Sequence, residues 1–233
     1  MEIIFTNENT ISCIFDDVIS ETVNSQVIRL KQALEELDLP EVNEVVVSYN
    51  TVTIYFDDYK TTHAELKDKL TRLSVQSSTA QKRRIFVVPV CYDKDYALDL
   101  EELAMQTHLS EEEVVKRHTG RPYLVYMLGF MPGFPFLGGL DKSIAMPRRK
   151  QPRKRIPAGS VGIAGEQTGM YPLESPGGWN IIGRTPVKLF EADRQPEVYY
   201  EAGDYIQFKA ITEQEFLAIE EDAAYQLEVR EAE

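Results

Sequence analysis

The chain has no glycine before Gly120 and a single proline, Pro40, before Pro89. Its first part therefore has little means of forming left-handed turns or glycine-cradled phosphate loops. The familiar catalytic and nucleotide signatures are missing throughout. Neither G-x-G-x-x-G nor G-x-x-x-x-G-K-[ST] nor H-E-x-x-H occurs, and Gly159-Ser160-Val161-Gly162 falls one residue short of G-x-S-x-G. Cysteine is nearly absent: Cys13 and Cys91 lie far apart and form no C-x-x-C pair, which excludes a disulfide framework and a thiolate metal site and leaves two buried free thiols. The histidines His63, His108 and His118 lack ligand spacing, so no metal is expected.

Positive charge is also scarce. With 25 Lys and Arg against 38 Asp and Glu, the net charge of −13 argues against nucleic acid or an anionic membrane as a partner. The longest uncharged run, Pro122 to Leu140, is broken by prolines and glycines and makes a poor membrane span. The opening MEIIFTNENT has no basic segment ahead of its short apolar run, so a cytoplasmic location is expected.

Two textures divide what is present. Before residue 83 the pattern is α+β. ISCIF (Ile11 to Phe15) reads as a strand, and Val23, Val27, Leu30, Leu34 and Leu37 recur at helical spacing behind a cap at Ser20. VVVSY and VTIYF flank a short hairpin turn at Asn50-Thr51, and Thr62-His63-Ala64-Glu65 is a capping box before Leu66, Leu70 and Leu73. Ser74 to Lys82 reads as a linker, giving domains of 1–82 and 83–233.

The second part opens with a strand, Arg84 to Tyr92, in which Pro89 favours an edge or an end. Helices follow over Asp99 to Gln106 and Glu111 to His118, then the strand Tyr123 to Leu128. Short strands between Gly and Pro turns (VGIA, NIIG, VKLF, VYY, YIQF) predict an antiparallel barrel or sandwich, and Thr212 caps a last amphipathic helix.

Chemistry concentrates in three places here. GFMPGFPFLGGLD, Gly129 to Asp141, is too rich in Pro and Gly for a helix and too apolar for an ordinary surface loop. Pro147 to Ser160 holds a basic island with no acid between Asp141 and Glu166, either a solvated face or an anion site built on arginine forks. In Gly162 to Pro186, polar and aromatic residues alternate with glycines that allow backbone N–H groups to approach a ligand, or that merely serve tight barrel turns with Trp179 plugging one end. His118 ends a helix, where its protonated form is favoured.

GFMPGFPFLGGLD, PRRKQPRKRIPAGSVGIAGEQTGMYP, SPGGWNIIGRTPVKLF and AGDYIQF together resemble the KipI / PxpB family, also labelled allophanate hydrolase subunit 1, over about Arg84 to Lys209. The resemblance implies an α+β N-terminal domain followed by a mainly-β cyclophilin-like barrel domain. It implies the B subunit of an ATP-dependent 5-oxoprolinase that opens 5-oxo-L-proline to L-glutamate with A and C subunits, or else an inhibitor of histidine kinase autophosphorylation. On the enzyme reading, His118 is the candidate for proton transfer. Arg148, Arg149, Arg153 and Arg155 are candidates for anions, and Gln167, Thr168, Tyr171, Ser175, Gly177, Gly178 and Trp179 for polar and ring contacts. Contact between ATP and this chain is open. Phe130, Met131, Pro132, Phe134, Phe136 and Leu137 are expected to wall a partner groove. The barrel alone does not imply prolyl isomerase activity.

Overall fold

Glycine's late start coincides with a change of architecture. The computed structural model describes residues 1–73 and 83–232, so the expected linker lies outside the described residues. The chain divides into two compact units, Met1–Lys82 and Arg83–Glu233.

The first unit is an antiparallel sheet in the order β1-β2-β4-β3, made of β1 (Glu2–Asn7), β2 (Thr10–Ile14), β3 (Val42–Val47) and β4 (Thr51–Phe56), with helices α1 (Glu21–Leu37) and α2 (His63–Arg72). Ser20 caps α1 by accepting the Val23 N–H, and Thr62 with Glu65 forms the reciprocal capping box at α2. Val27, Leu30 and Leu34 of α1 pack with Ile11, Val52, Ile54, Leu66 and Leu70, while Leu37, the last expected core position of α1, stays exposed. No alternation in the sequence marks β1, because its side chains are mostly exposed.

In the second unit seven strands close into a barrel: β5 (Arg84–Cys91), β13 (Tyr205–Ile211), β6 (Tyr123–Leu128), β7 (Pro135–Gly138), β10 (Gln167–Met170), β9 (Ser160–Ala164) and β12 (Asn180–Arg184). Pairing of Arg184 with Cys91 completes the ring. β5 is not an edge strand. It runs parallel to β13 on one side, while on the other it pairs with β14 (Glu228–Glu231) up to Val87 and with β12 at Cys91. Pro89, which has no N–H to donate, sits in the interval between those two pairings.

Helices α3 (Leu100–Thr107), α4 (Glu111–Thr119) and α5 (Glu213–Glu221), with a ribbon of β8 (Arg153–Ile156) and β11 (Ser175–Gly177), complete the unit. Gly120 caps α4 in a right-handed conformation. VKLF and VYY are not strands; only an isolated bridge joins Phe190 and Val198. The Arg194 guanidinium donates to the carbonyls of Lys188, Leu189, Pro196 and Glu197, so backbone groups that a ladder would have paired are satisfied by one side chain.

Both cysteines are buried free thiols, each pushed up to about 11 by burial. Among the described residues no helix is long and apolar enough to cross a membrane, and no group of three or more His, Cys, Asp or Glu could hold a metal ion.

Candidate functional site

Alternation along the barrel strands sorts the side chains onto two faces. Leu137 on β7, Met170 on β10, Ile163 on β9 and Ile182 on β12 join the main core of the second unit. Tyr171, Ala164 and Ile181, next in the chain to the last three, join Phe134, Trp179 and Ile156 in a separate small core, with Met131 and Phe136, the neighbour of Leu137, packed against it. Leu137 therefore belongs to the main core and not to a groove wall. Trp179, 4% exposed, packs in this second core and does not plug the barrel.

The second core is aromatic and tightly fitted. The Phe134 ring stands edge-on to Trp179 at 5.5 Å and to Tyr171 at 5.2 Å, within the range where such pairs attract. A Cβ on Gly177 would lie 2.4 Å from the Tyr171 hydroxyl, so that glycine is required for close approach and not for turning. Burial pushes the Tyr171 hydroxyl up to about 12, leaving it a neutral donor at ordinary pH.

Over this core opens a groove of about 300 Å³, lined by Phe130, Phe134, Phe136, Arg148, Pro152, Tyr171, Pro176, Gly177, Gly178 and Trp179. One end is the loop of the β6–β7 hairpin. There the Phe134 N–H returns to the Met131 carbonyl at 3.1 Å through a turn with Pro132 and Gly133, the latter at φ +76. Phe130 has φ 68 and is 68% exposed. A left-handed conformation costs a non-glycine residue about 1–2 kcal/mol, so the loop holds an exposed aromatic ring in an unfavourable backbone state. Met131 and Pro132 are outside the lining, as are Gln167 at the start of β10 and Ser175, whose hydroxyl donates to the Pro176 carbonyl.

The four candidate arginines do not converge on one anion. Arg153 donates through two nitrogens to Asp99 at 2.7 Å each, and Arg149 reaches Asp99 and Glu102. Arg155 is exposed and pairs with Glu174. Arg148, on the groove, has no carboxylate partner among the described residues. The residue organising this island is Asp99, which by its position alone reads as a helix start. It occupies the N-cap position of α3 but makes no capping bond, because its buried carboxylate accepts from the two arginines and from the Ile181 N–H at 2.7 Å. Asn180, equally buried, donates to the Pro147 and Ile163 carbonyls and ties the start of the arginine loop to the barrel. Neither residue carries a motif.

His118, the candidate for proton transfer, is buried and does not line the groove. It is 0% exposed, its Nδ1 accepts the Tyr92 hydroxyl at 2.7 Å, and its Nε2–H donates to Thr168 at 2.8 Å. The tautomer follows from Thr168, whose hydroxyl proton goes to the Gly162 carbonyl at 3.0 Å, leaving its oxygen to accept. A helix C-terminus favours an imidazolium, but complete burial opposes it more strongly and lowers the ring to about 3. Thr168 is thereby committed to the core and does not line the groove.

Residues 1–200 match the family described as carboxyltransferase domain, subdomain C and D. The chain is 40% identical to the 5-oxoprolinase B subunit of Bacillus subtilis, covering 90% of this chain and 92% of the relative. It is 38% identical to the 5-oxoprolinase B subunit of Escherichia coli O157:H7, covering 78% and 84%. The crystal structure of TTHA0988 superposes with a TM-score of 0.79 at 34% identity over 87% of this chain, which spans 40% of that longer chain. The conserved uncharacterized protein PH0987 from Pyrococcus horikoshii is 39% identical over 92% of this chain and all of its own, with a TM-score of 0.56. On these matches the chain belongs to the carboxyltransferase subdomain C and D family and, within it, to the KipI / PxpB family of 5-oxoprolinase B subunits.

Proposed function

We propose that this chain is the B subunit of an ATP-dependent 5-oxoprolinase and works only with A and C subunits. In that reaction water breaks the lactam C–N bond of 5-oxo-L-proline, the nitrogen becomes the amino group of L-glutamate, and ATP is hydrolysed to ADP and phosphate. The observation that carries the reading, beside the family, is the open aromatic groove with Arg148 at its edge. The lining of the groove has no His, Asp or Glu to act as a general base, and His118 is locked away in the core. A shared site completed by a partner subunit supplies what is missing. Phe130, held exposed at the mouth, is suited to contact that partner.

ATP does not suit the groove beside this chain's basic island. A triphosphate needs several cations converging on one place, and of the island only Arg148 lines the groove, while Arg149, Arg153 and Arg155 are engaged by Asp99, Glu102 and Glu174. We assign nucleotide binding to a partner subunit.

The test is expression of the chain alone and together with A and C subunits, followed by measurement of ATP-dependent glutamate formation from 5-oxo-L-proline. The expected result is turnover by the assembled subunits and none by the lone chain. Turnover by the purified lone chain would overturn the subunit reading. An inactive assembly, with a lone chain that blocks autophosphorylation of a histidine kinase, would establish the inhibitor role instead.

A further inference from the structure

We propose that the groove beside Trp179 binds a compact monocarboxylate carrying a small flat ring, with Arg148 as the group that recognises the carboxylate. The inference deepens the reading above, on which it rests for the identity of the ring.

The pairing of charges within the island leads to Arg148. Arg149 and Arg153 are engaged by the buried Asp99, and Arg155 by Glu174. Arg148 lies between Pro147, whose carbonyl is held by Asn180, and Arg149, whose N–H donates to the Gly178 carbonyl at 2.8 Å. Its backbone is therefore fixed on both sides while its guanidinium lines the groove. One available guanidinium matches one carboxylate, by two parallel hydrogen bonds. It does not match the several charges of a nucleotide.

Size and surface agree with that class. At about 300 Å³ the groove lies at the small end of ligand pockets, which run from ~300 to 1,000 Å³. Phe136, Trp179 and Phe130 in its lining suit a flat ring, and the Tyr171 hydroxyl, hydrogen-bonded to the Trp179 backbone, lies in the same lining. A hollow of similar size between β5, β13 and α5 lacks this combination, because its cation, Lys209, sits among Glu215 and Glu228.

Trp179 is the chain's single tryptophan and lies in the groove, so its fluorescence reports occupancy directly. The full chain is titrated with 5-oxo-L-proline, with 2-pyrrolidinone, which keeps the ring and lacks the carboxylate, and with ATP. The expected result is a saturable change with 5-oxo-L-proline, weakened about tenfold or more in Arg148→Gln and for 2-pyrrolidinone, partly restored in Arg148→Lys, and no saturable change with ATP. Arg155→Gln, which alters only an exposed pair, should bind like the parent. No response to 5-oxo-L-proline, equal affinity in Arg148→Gln, or a tighter response to ATP would overturn the proposal. If the assembled subunits turn over 5-oxo-L-proline while the KM of Arg148→Gln is unchanged, the site is wrong and the function stands. If the groove binds other ring carboxylates through Arg148 but the assembly is inactive, the site stands and the function fails.

Discussion

Arg153 grips Asp99 through both terminal nitrogens at 2.7 Å, and the same carboxylate accepts the Ile181 N–H of a barrel strand. One carboxylate, 2% exposed, thus joins the first turn of α3, the arginine loop and β12. Asp99→Asn should destabilise the second unit by about 2–3 kcal/mol, less than a fully buried pair because both arginines keep partial solvent contact. Urea unfolding followed by Trp179 fluorescence measures this. A midpoint equal to the parent would show that the pair is decorative.

His118 gives the second unit a specific pH dependence. Its folded value is about 3, whereas the unfolded imidazole titrates near ~6.5, so between these limits the unfolded state binds the proton and the folded state does not. Stability is then complete above pH ~6.5 and falls by about 1.4 kcal/mol per unit as the pH drops toward 3. Asp141, lowered by its Ser143 hydrogen bonds, and Glu215, lowered by Thr212, add losses only in the carboxylate range. His118→Gln should be less stable at pH 7 by about 1–3 kcal/mol yet show a flatter profile between pH 6.5 and 5. An unchanged slope in the variant would assign the acid sensitivity elsewhere.

Gly177 and Gly178 are adjacent and should respond differently to alanine. A methyl on Gly177 meets the Tyr171 hydroxyl at 2.4 Å and the Ile156 side chain at 2.7 Å, whereas on Gly178 the nearest atom is 3.7 Å away. Gly177→Ala is expected to cost about 1–3 kcal/mol and to change Trp179 emission, while Gly178→Ala stays within about 0.5 kcal/mol of the parent. Equal melting curves for the two variants would contradict the close packing described for the second core.

Phe130→Gly separates folding from assembly. Relief of the left-handed conformation gains about 1–2 kcal/mol, and the lost edge contact with Phe134 together with glycine's chain entropy removes a similar amount. The lone chain should melt within about 1 kcal/mol of the parent, but its affinity for A and C subunits should fall about tenfold or more. Unchanged assembly measured by light scattering would remove Phe130 from the partner surface.

The α+β pattern, the capping boxes at Thr62 and Thr212 and the barrel strands at VGIA, NIIG and YIQF were legible in the sequence, because caps, turns and alternation are local interactions recorded in neighbouring residues, whereas β7 and β10 were not marked and VKLF and VYY are not strands. So was the unusual character of the Gly129 to Asp141 segment. Strands β1 and β14 were not, since one is largely exposed and the other is defined only by its pairing with β5. The site divides in the same way. Composition marked the arginines, Tyr171 and Trp179 as candidates, but only the tertiary structure decided which arginine is left without a carboxylate, because that depends on Asp99, some fifty positions earlier in the chain. His118 went the other way: its helix-end position favoured a charge that burial between Tyr92, Thr168 and Phe208 removes. Desolvation and ion pairing are properties of what surrounds a group in space, and spacing along the chain does not record them.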